Sequence, residues 1–131
     1  LQKSFIGVAF HGQNDSTFDA VYFRPFNFHA NDSVRRIHAV QYVSHPVYTW
    51  KKLRDDKTTN AKYEKAIDNA PDPNAWFHVK VLVKNRTINV FINDRKQPEL
   101  TVQQLSNFNS GKIGLFTGDG SGGDFANLTI E

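Results

Sequence analysis

Between Tyr22 and Arg54 the chain gathers side chains suited to hold a sugar: Tyr22, Arg24, Arg36, His38, Gln41, Tyr42, His45, Tyr48, Trp50 and Arg54. A pyranose offers an apolar ring face, which stacks on Trp or Tyr. It also offers pairs of hydroxyls, which accept hydrogen bonds from Arg and exchange them with Gln and His. The ligand-binding candidates are Arg24, Arg36, His38, Gln41, His45, Trp50 and Arg54. Arg24 ends an alternating run just before Pro25, at a rim where a guanidinium can reach outward. Trp50 falls in an irregular stretch, whereas Trp76 opens an alternating one and is expected in the core. The competing reading makes Tyr22 and Tyr42 core-edge aromatics, and Arg24 and Arg54 ion-pair partners of Asp19, Asp55 or Asp56.

The elements that must position these residues are strands. From Trp76 to Lys84, Phe77, Val79, Val81 and Val83 alternate with His78, Lys80 and Lys84, the pattern of a half-buried strand. Lys84-Asn85-Arg86 interrupts the run, and Ile88, Val90 and Ile92 resume it before Asn93-Asp94, so the spacing predicts a hairpin. Upstream, Phe5–His11, Phe18–Arg24 and Ile37–Ser44 read as three further strands separated by turn-forming clusters. Residues 46–70 lack a clean period and form a long excursion, with a strand favoured over a helical turn at Ala61–Ile67. Pro71-Asp-Pro-Asn74 closes it. A short strand over Glu99–Leu105 and two terminal ones, ending at Asp124–Ile130, complete an all-β pattern with turn signals about every 8 to 12 residues.

A chain of 131 residues, 39% hydrophobic, 13% aromatic and 22% charged, is one ordinary globular domain spanning 1–131. The absence of cysteine excludes a disulfide framework and thiolate metal sites. No apolar run approaches the roughly 18 residues that cross a bilayer, so no membrane partner is expected. A net charge of +3 and a pI near 9.2 permit acidic partners. The basic residues are interspersed with acidic ones and no nucleic-acid motif accompanies them, so they read as a solvated face and no nucleic-acid partner is expected.

The Trp76-Phe-His78-Val-Lys-Val hairpin strand and its Val90-Phe-Ile-Asn-Asp94 return resemble the signature of laminin-G-like and concanavalin A-like sandwich domains, with Asp94 where a Gly is usual. Gly111-Lys-Ile-Gly-Leu and Phe125-Ala-Asn-Leu-Thr-Ile130 extend the likeness to the last two strands. The resemblance implies an antiparallel jelly-roll sandwich. Such domains begin with a strand or two before the run that starts here at Phe5, so an N-terminal strand is expected to be missing. Gly7-Val-Ala-Phe-His11 and Phe18-Asp-Ala-Val21 further resemble bacterial hydrolases of 3-keto-glycosides and related carbohydrate-binding modules, with His11 in place of an Arg and Asp19 in place of a Glu. The resemblance implies a secreted or periplasmic module whose partner is a saccharide or glycan, with other domains or a missing N-terminal segment as further partners. It leaves open a binding module, a glycoside hydrolase, and a laminin-G-like protein-interaction module.

Glycosidases need two carboxylates about 5 to 10 Å apart. Asp19, Glu64, Glu99 and Asp124 are available, but no spacing singles out a pair, and Glu64 in Lys62-Tyr-Glu-Lys reads as a surface charge. If the chain is an enzyme, the resemblance together with the available His and carboxylates implies a glycan hydrolase or lyase that works by side-chain acid and base groups without an organic cofactor. Gly118-Asp-Gly-Ser-Gly-Gly-Asp124 is not the serine-protease motif, because Gly120 is interposed and no matching His or Asp motif precedes it. As a Gly-rich loop it could hold calcium between Asp119 and Asp124. The five histidines show no zinc spacing. Asn14, Asn31, Asn85 and Asn127 each open an Asn-x-Ser/Thr triplet.

Overall fold

The computed structural model describes residues 5–59, 62–118 and 120–131. Eight strands are assigned among them: β1 (Ile6–Asn14), β2 (Thr17–Phe23), β3 (Val40–His45), β4 (Glu64–Lys65), β5 (Val79–Lys84), β6 (Thr87–Ile92), β7 (Leu100–Gln103) and β8 (Lys112–Thr117). They form two antiparallel sheets, one in the order β4-β3-β2-β1-β8 and one in the order β5-β6-β7. The architecture is the expected all-β sandwich. Two short helices, α1 (Ser33–Arg36) and α2 (Trp50–Asp55), lie in the connections on either side of β3.

Alternation decides which side chains enter the core. Val21, Phe23, Val40 and Tyr42 project from the large sheet toward Ile88, Val90 and Ile92 of β6, all almost fully buried. Phe77 joins them, its ring 5.4 Å from that of Phe23 and 5.6 Å from that of Phe28. Burying one such aliphatic side chain contributes roughly 1.5 to 3 kcal/mol, so β6, with Leu100 and Val102 of β7, anchors the small sheet.

The β5–β6 hairpin turns through Asn85 and Arg86 with φ of 51° and 65°, the left-handed pair that matches strand twist. A non-glycine residue resists that conformation. Arg86 is held there because its Nη2 donates to the carbonyls of Ser106 (2.7 Å) and Gln104 (3.3 Å), while its own carbonyl accepts from Gln104 N (2.7 Å).

Three expectations are corrected. Asp124–Ile130 forms no strand: Asn127 sits at φ 57°, which breaks the extended run in its middle, and Phe125, Leu128 and Ile130 stay exposed. Trp76 precedes β5 rather than packing in the core, and it is 70% exposed. The excursion contains helix α2 as well as a strand, and the strand is only the pair Glu64–Lys65.

Candidate functional site

One lateral row of residues crosses the large sheet on the face turned away from the core: Phe116, Gly7, Tyr22, Gln41 and Glu64 are successive cross-strand partners from β8 to β4. A Cβ at Gly7 would lie 2.0 Å from the Val21 carbonyl oxygen and 2.5 Å from Tyr22 Cα, so glycine is required there. The Tyr22 ring is instead packed by Phe5 at 4.6 Å and Phe116 at 5.9 Å. Tyr22 is 2% exposed, and its hydroxyl donates to Gln41 Oε1 at 2.6 Å. Burial pushes the Tyr22 phenol pKa up, against the opposing pull of the Arg24 guanidinium.

Helix α2 borders this row. Thr49 caps its N-terminus by accepting from Lys52 N, and Leu53 is buried while Trp50 and Arg54 share a face one turn apart. Arg54 grips Glu64 bidentately, Nε to Oε1 at 3.0 Å and Nη2 to Oε2 at 2.9 Å, and its guanidinium lies 4.9 Å from the Trp50 ring centroid. His38 Nδ1 meets the same carboxylate at 2.8 Å. A carboxylate with a 3% exposed side chain is stable here because two cationic or donor groups share its charge.

Arg24 closes the ring of contacts. Its Nη2 donates to the Tyr22 hydroxyl at 3.3 Å, and its guanidinium lies 5.5 Å from the Phe5 and Tyr22 ring centroids and 5.9 Å from that of Trp50. Among the described residues it has no carboxylate partner. Among the described residues, two donors in this cluster, Arg24 Nε and Gln41 Nε2, are buried without a hydrogen-bond partner. Each such group left unpaired costs about 1 to 3 kcal/mol, so these donors call for a partner.

The structure therefore brings together Arg24, His38, Gln41, Trp50 and Arg54 from the residues expected to contact ligand. His45 shares the outward face of β3 with Gln41, but four positions along it, roughly 13 Å away at strand rise. Its ring stacks on Phe18 at 5.0 Å, and burial holds its pKa below the usual value. Arg36 is set apart on α1, lining a separate hollow of about 610 Å³ with His29, Ser33, Ile37 and Ile67. Another hollow, of about 360 Å³, lies between β4 and β7 around Lys62, Pro98 and Leu100. Tyr42 faces the core.

Glu64 is the residue that sequence reasoning missed. Far from being a surface charge, it is 7% exposed and central to the cluster. The available signal was Tyr63 and Glu64 at successive positions, one buried against the core and one opposite Gln41, but a strand of two residues shows no period.

A second buried carboxylate, Asp19, belongs to the core side. It accepts from Tyr42 Oη (2.8 Å) and Ser106 Oγ (2.6 Å) and pairs with His11 Nδ1 (2.7 Å). His11 reaches it through the irregularity in β1 after Phe10, where His11 takes φ 53°. Among the described residues no group of three His, Asp or Glu side chains could hold a metal ion. Asp119, half of the expected calcium pair, lies outside the described residues, and Asp124 is exposed.

The 3-keto-alpha-glucoside-1,2-lyase-like domain family model matches residues 2–131, nearly the whole chain. The chain belongs to that family. Comparison with curated proteins and with solved structures gives no match. Membership in this concanavalin A-like, lectin- and glucanase-type family gives the domain a carbohydrate-related role and suggests saccharide partners.

Proposed function

We propose that the Tyr22–Gln41–Glu64 row and the α2 side chains beside it form a site that binds and processes 3-keto-glycosides. The observation that carries this reading is the pair of buried donors without a partner among the described residues, Arg24 Nε and Gln41 Nε2, both on residues hydrogen-bonded to the Tyr22 hydroxyl. A ketone oxygen accepts hydrogen bonds and offers none, so it suits donors such as these. A 3-keto group also makes the hydrogen on C2 acidic, because the anion left behind delocalises onto O3. Donors fixed before the reaction stabilise that charge without reorganising, and this is the largest contribution most such sites make. Trp50, 41% exposed, supplies the stacking wall at the rim, with Arg54 behind it.

The reading is tested with methyl 3-keto-α-glucoside and methyl α-glucoside, following binding by calorimetry and consumption by NMR. Binding and turnover of the keto sugar, both weakened in Arg24→Ala and Gln41→Ala, is the expected result. Equal indifference to both sugars at millimolar concentration overturns it.

A further inference from the structure

Resting on the reading of this site as one for 3-keto-glycosides, we infer that His38 is the base that removes the C2 proton, and that Glu64 and Arg54 are positioning residues that fix its ring. Glu64, held at both oxygens by Arg54, is an acceptor facing His38 Nδ1 at 2.8 Å, so the ring hydrogen belongs on Nδ1. Nε2 then carries the lone pair, and among the described residues it has no hydrogen-bond partner. The His38 side chain is 17% exposed, neither sealed in the core nor free to rotate in solvent. This is the arrangement of base and orienting carboxylate that nucleophilic and proton-transfer sites share, with Arg54 added as a clamp. Glu64 pairs in register with Gln41, which places the base beside the donors assigned to O3.

The step balances within the sugar. The C2–H bond breaks, its proton goes to His38 Nε2, and its electron pair forms C2=C3 with the charge on O3. The C3 carbonyl then re-forms, C1=C2 develops, and the C1–O bond breaks with its pair leaving on the glycosidic oxygen. That oxygen takes a proton back from the imidazolium. A glycoside becomes an enone and an alcohol with no oxidant, reductant or water consumed.

The experiment follows loss of the C2 hydrogen of methyl 3-keto-α-glucoside in D₂O by NMR, with calorimetry and melting on the same samples. His38→Ala is expected to slow exchange and elimination by about 10²- to 10⁴-fold while still folding and binding the keto sugar. Added imidazole should restore part of the lost rate. Glu64→Gln should lower kcat by on the order of 10²-fold with KM little changed, a split that mere loss of packing does not produce. Wild-type exchange in His38→Ala, or a loss that imidazole does not restore and that binding shares, overturns the role of His38 while leaving the saccharide site standing. If the wild-type chain neither binds nor converts the keto sugar, the reading of the site and this inference fail together.

Discussion

Arg54 meets both oxygens of Glu64 across a gap of ten positions in the chain, at 3.0 and 2.9 Å, and so ties the helix of the long excursion to the edge of the large sheet. The fork-to-carboxylate geometry sets the direction of both side chains, which a lysine at the same place could not do. The carboxylate is the more deeply buried partner, 3% against 30% side-chain exposure.

That asymmetry predicts unequal mutants. Arg54→Ala leaves Glu64 buried with only His38 to share its charge, a loss of about 2 to 3 kcal/mol, below the 3 to 5 kcal/mol of a fully enclosed pair because water reaches the Arg54 side. Glu64→Gln keeps the shape and leaves Arg54 able to turn to solvent, costing about 1 kcal/mol. Urea titrations of the two single variants and the double variant give the coupling directly. Equal destabilisation by both would contradict the burial difference.

Trp50 should affect binding more than folding, as its sequence position suggests, whereas Trp76, expected in the core, should affect neither strongly. Trp76 is 70% exposed, so Trp76→Ala is expected to shift stability by no more than about 0.5 kcal/mol. Ile92→Ala, at a side chain with no exposed surface, should cost about 2 to 5 kcal/mol and serves as the core control. Trp50→Ala should weaken keto-sugar binding by about 1 to 3 kcal/mol with a smaller effect on melting, since the ring stands at the rim of the proposed site as a platform for Arg24 and Arg54. Paired calorimetry and thermal melts decide it.

The hairpin was legible because Val79, Val81 and Val83 alternate through a full strand and meet Ile92, Val90 and Ile88 in register. The cluster was legible in part, since Arg24, His38, Gln41, Trp50 and Arg54 lie close enough in sequence to stand out by type. Glu64 was not, because its neighbour Gln41 comes from pairing across 23 positions and β4 is too short to show alternation. Helix α2 had a Thr49 cap and a Lys51–Asp55 pair to announce it, but six residues are less than two turns. Trp76 misled because a tryptophan opening an apolar run usually faces the core, and only the pairing, which begins at Val79, shows that it lies outside the sheet.

Stability should fall at both ends of the pH scale for separate reasons. Burial lowers the His45 pKa, so between the folded value and the unfolded value near 6.5 the unfolded chain binds more protons. Stability is therefore complete above about pH 6.5 and is lost as pH falls through the folded value. Tyr22 and Tyr42 are both raised, chiefly by burial. Their contribution is present below pH 10 and lost as pH rises through the folded values. His45→Gln should flatten the acid limb and leave the alkaline one. A stability profile measured from pH 5 to 11 whose acid limb is unchanged in His45→Gln would assign that limb to another group.

Asp19 is predicted to be a structural carboxylate, in contrast to Glu64. It has no exposed surface, faces the core side of β2, and collects Tyr42, Ser106 and His11 from three different parts of the chain. Tyr42 Oη also accepts from Leu105 N at 3.0 Å, so Tyr42 and Asp19 together tie the loop after β7 to the large sheet. Asp19→Ala removes the shared acceptor and leaves the Tyr42 and Ser106 hydroxyls buried without it, which should cost about 3 to 5 kcal/mol. Asp19→Asn retains an acceptor oxygen but places an amide NH₂ against two donors, and should still cost about 2 kcal/mol. Both variants, at temperatures where they remain folded, should bind methyl 3-keto-α-glucoside as the wild-type chain does, because none of the Arg24, Gln41 or Glu64 contacts involves Asp19. Denaturant melts read the first expectation and calorimetry the second. A folded Asp19→Asn protein that loses keto-sugar binding would move Asp19 from the framework into the site.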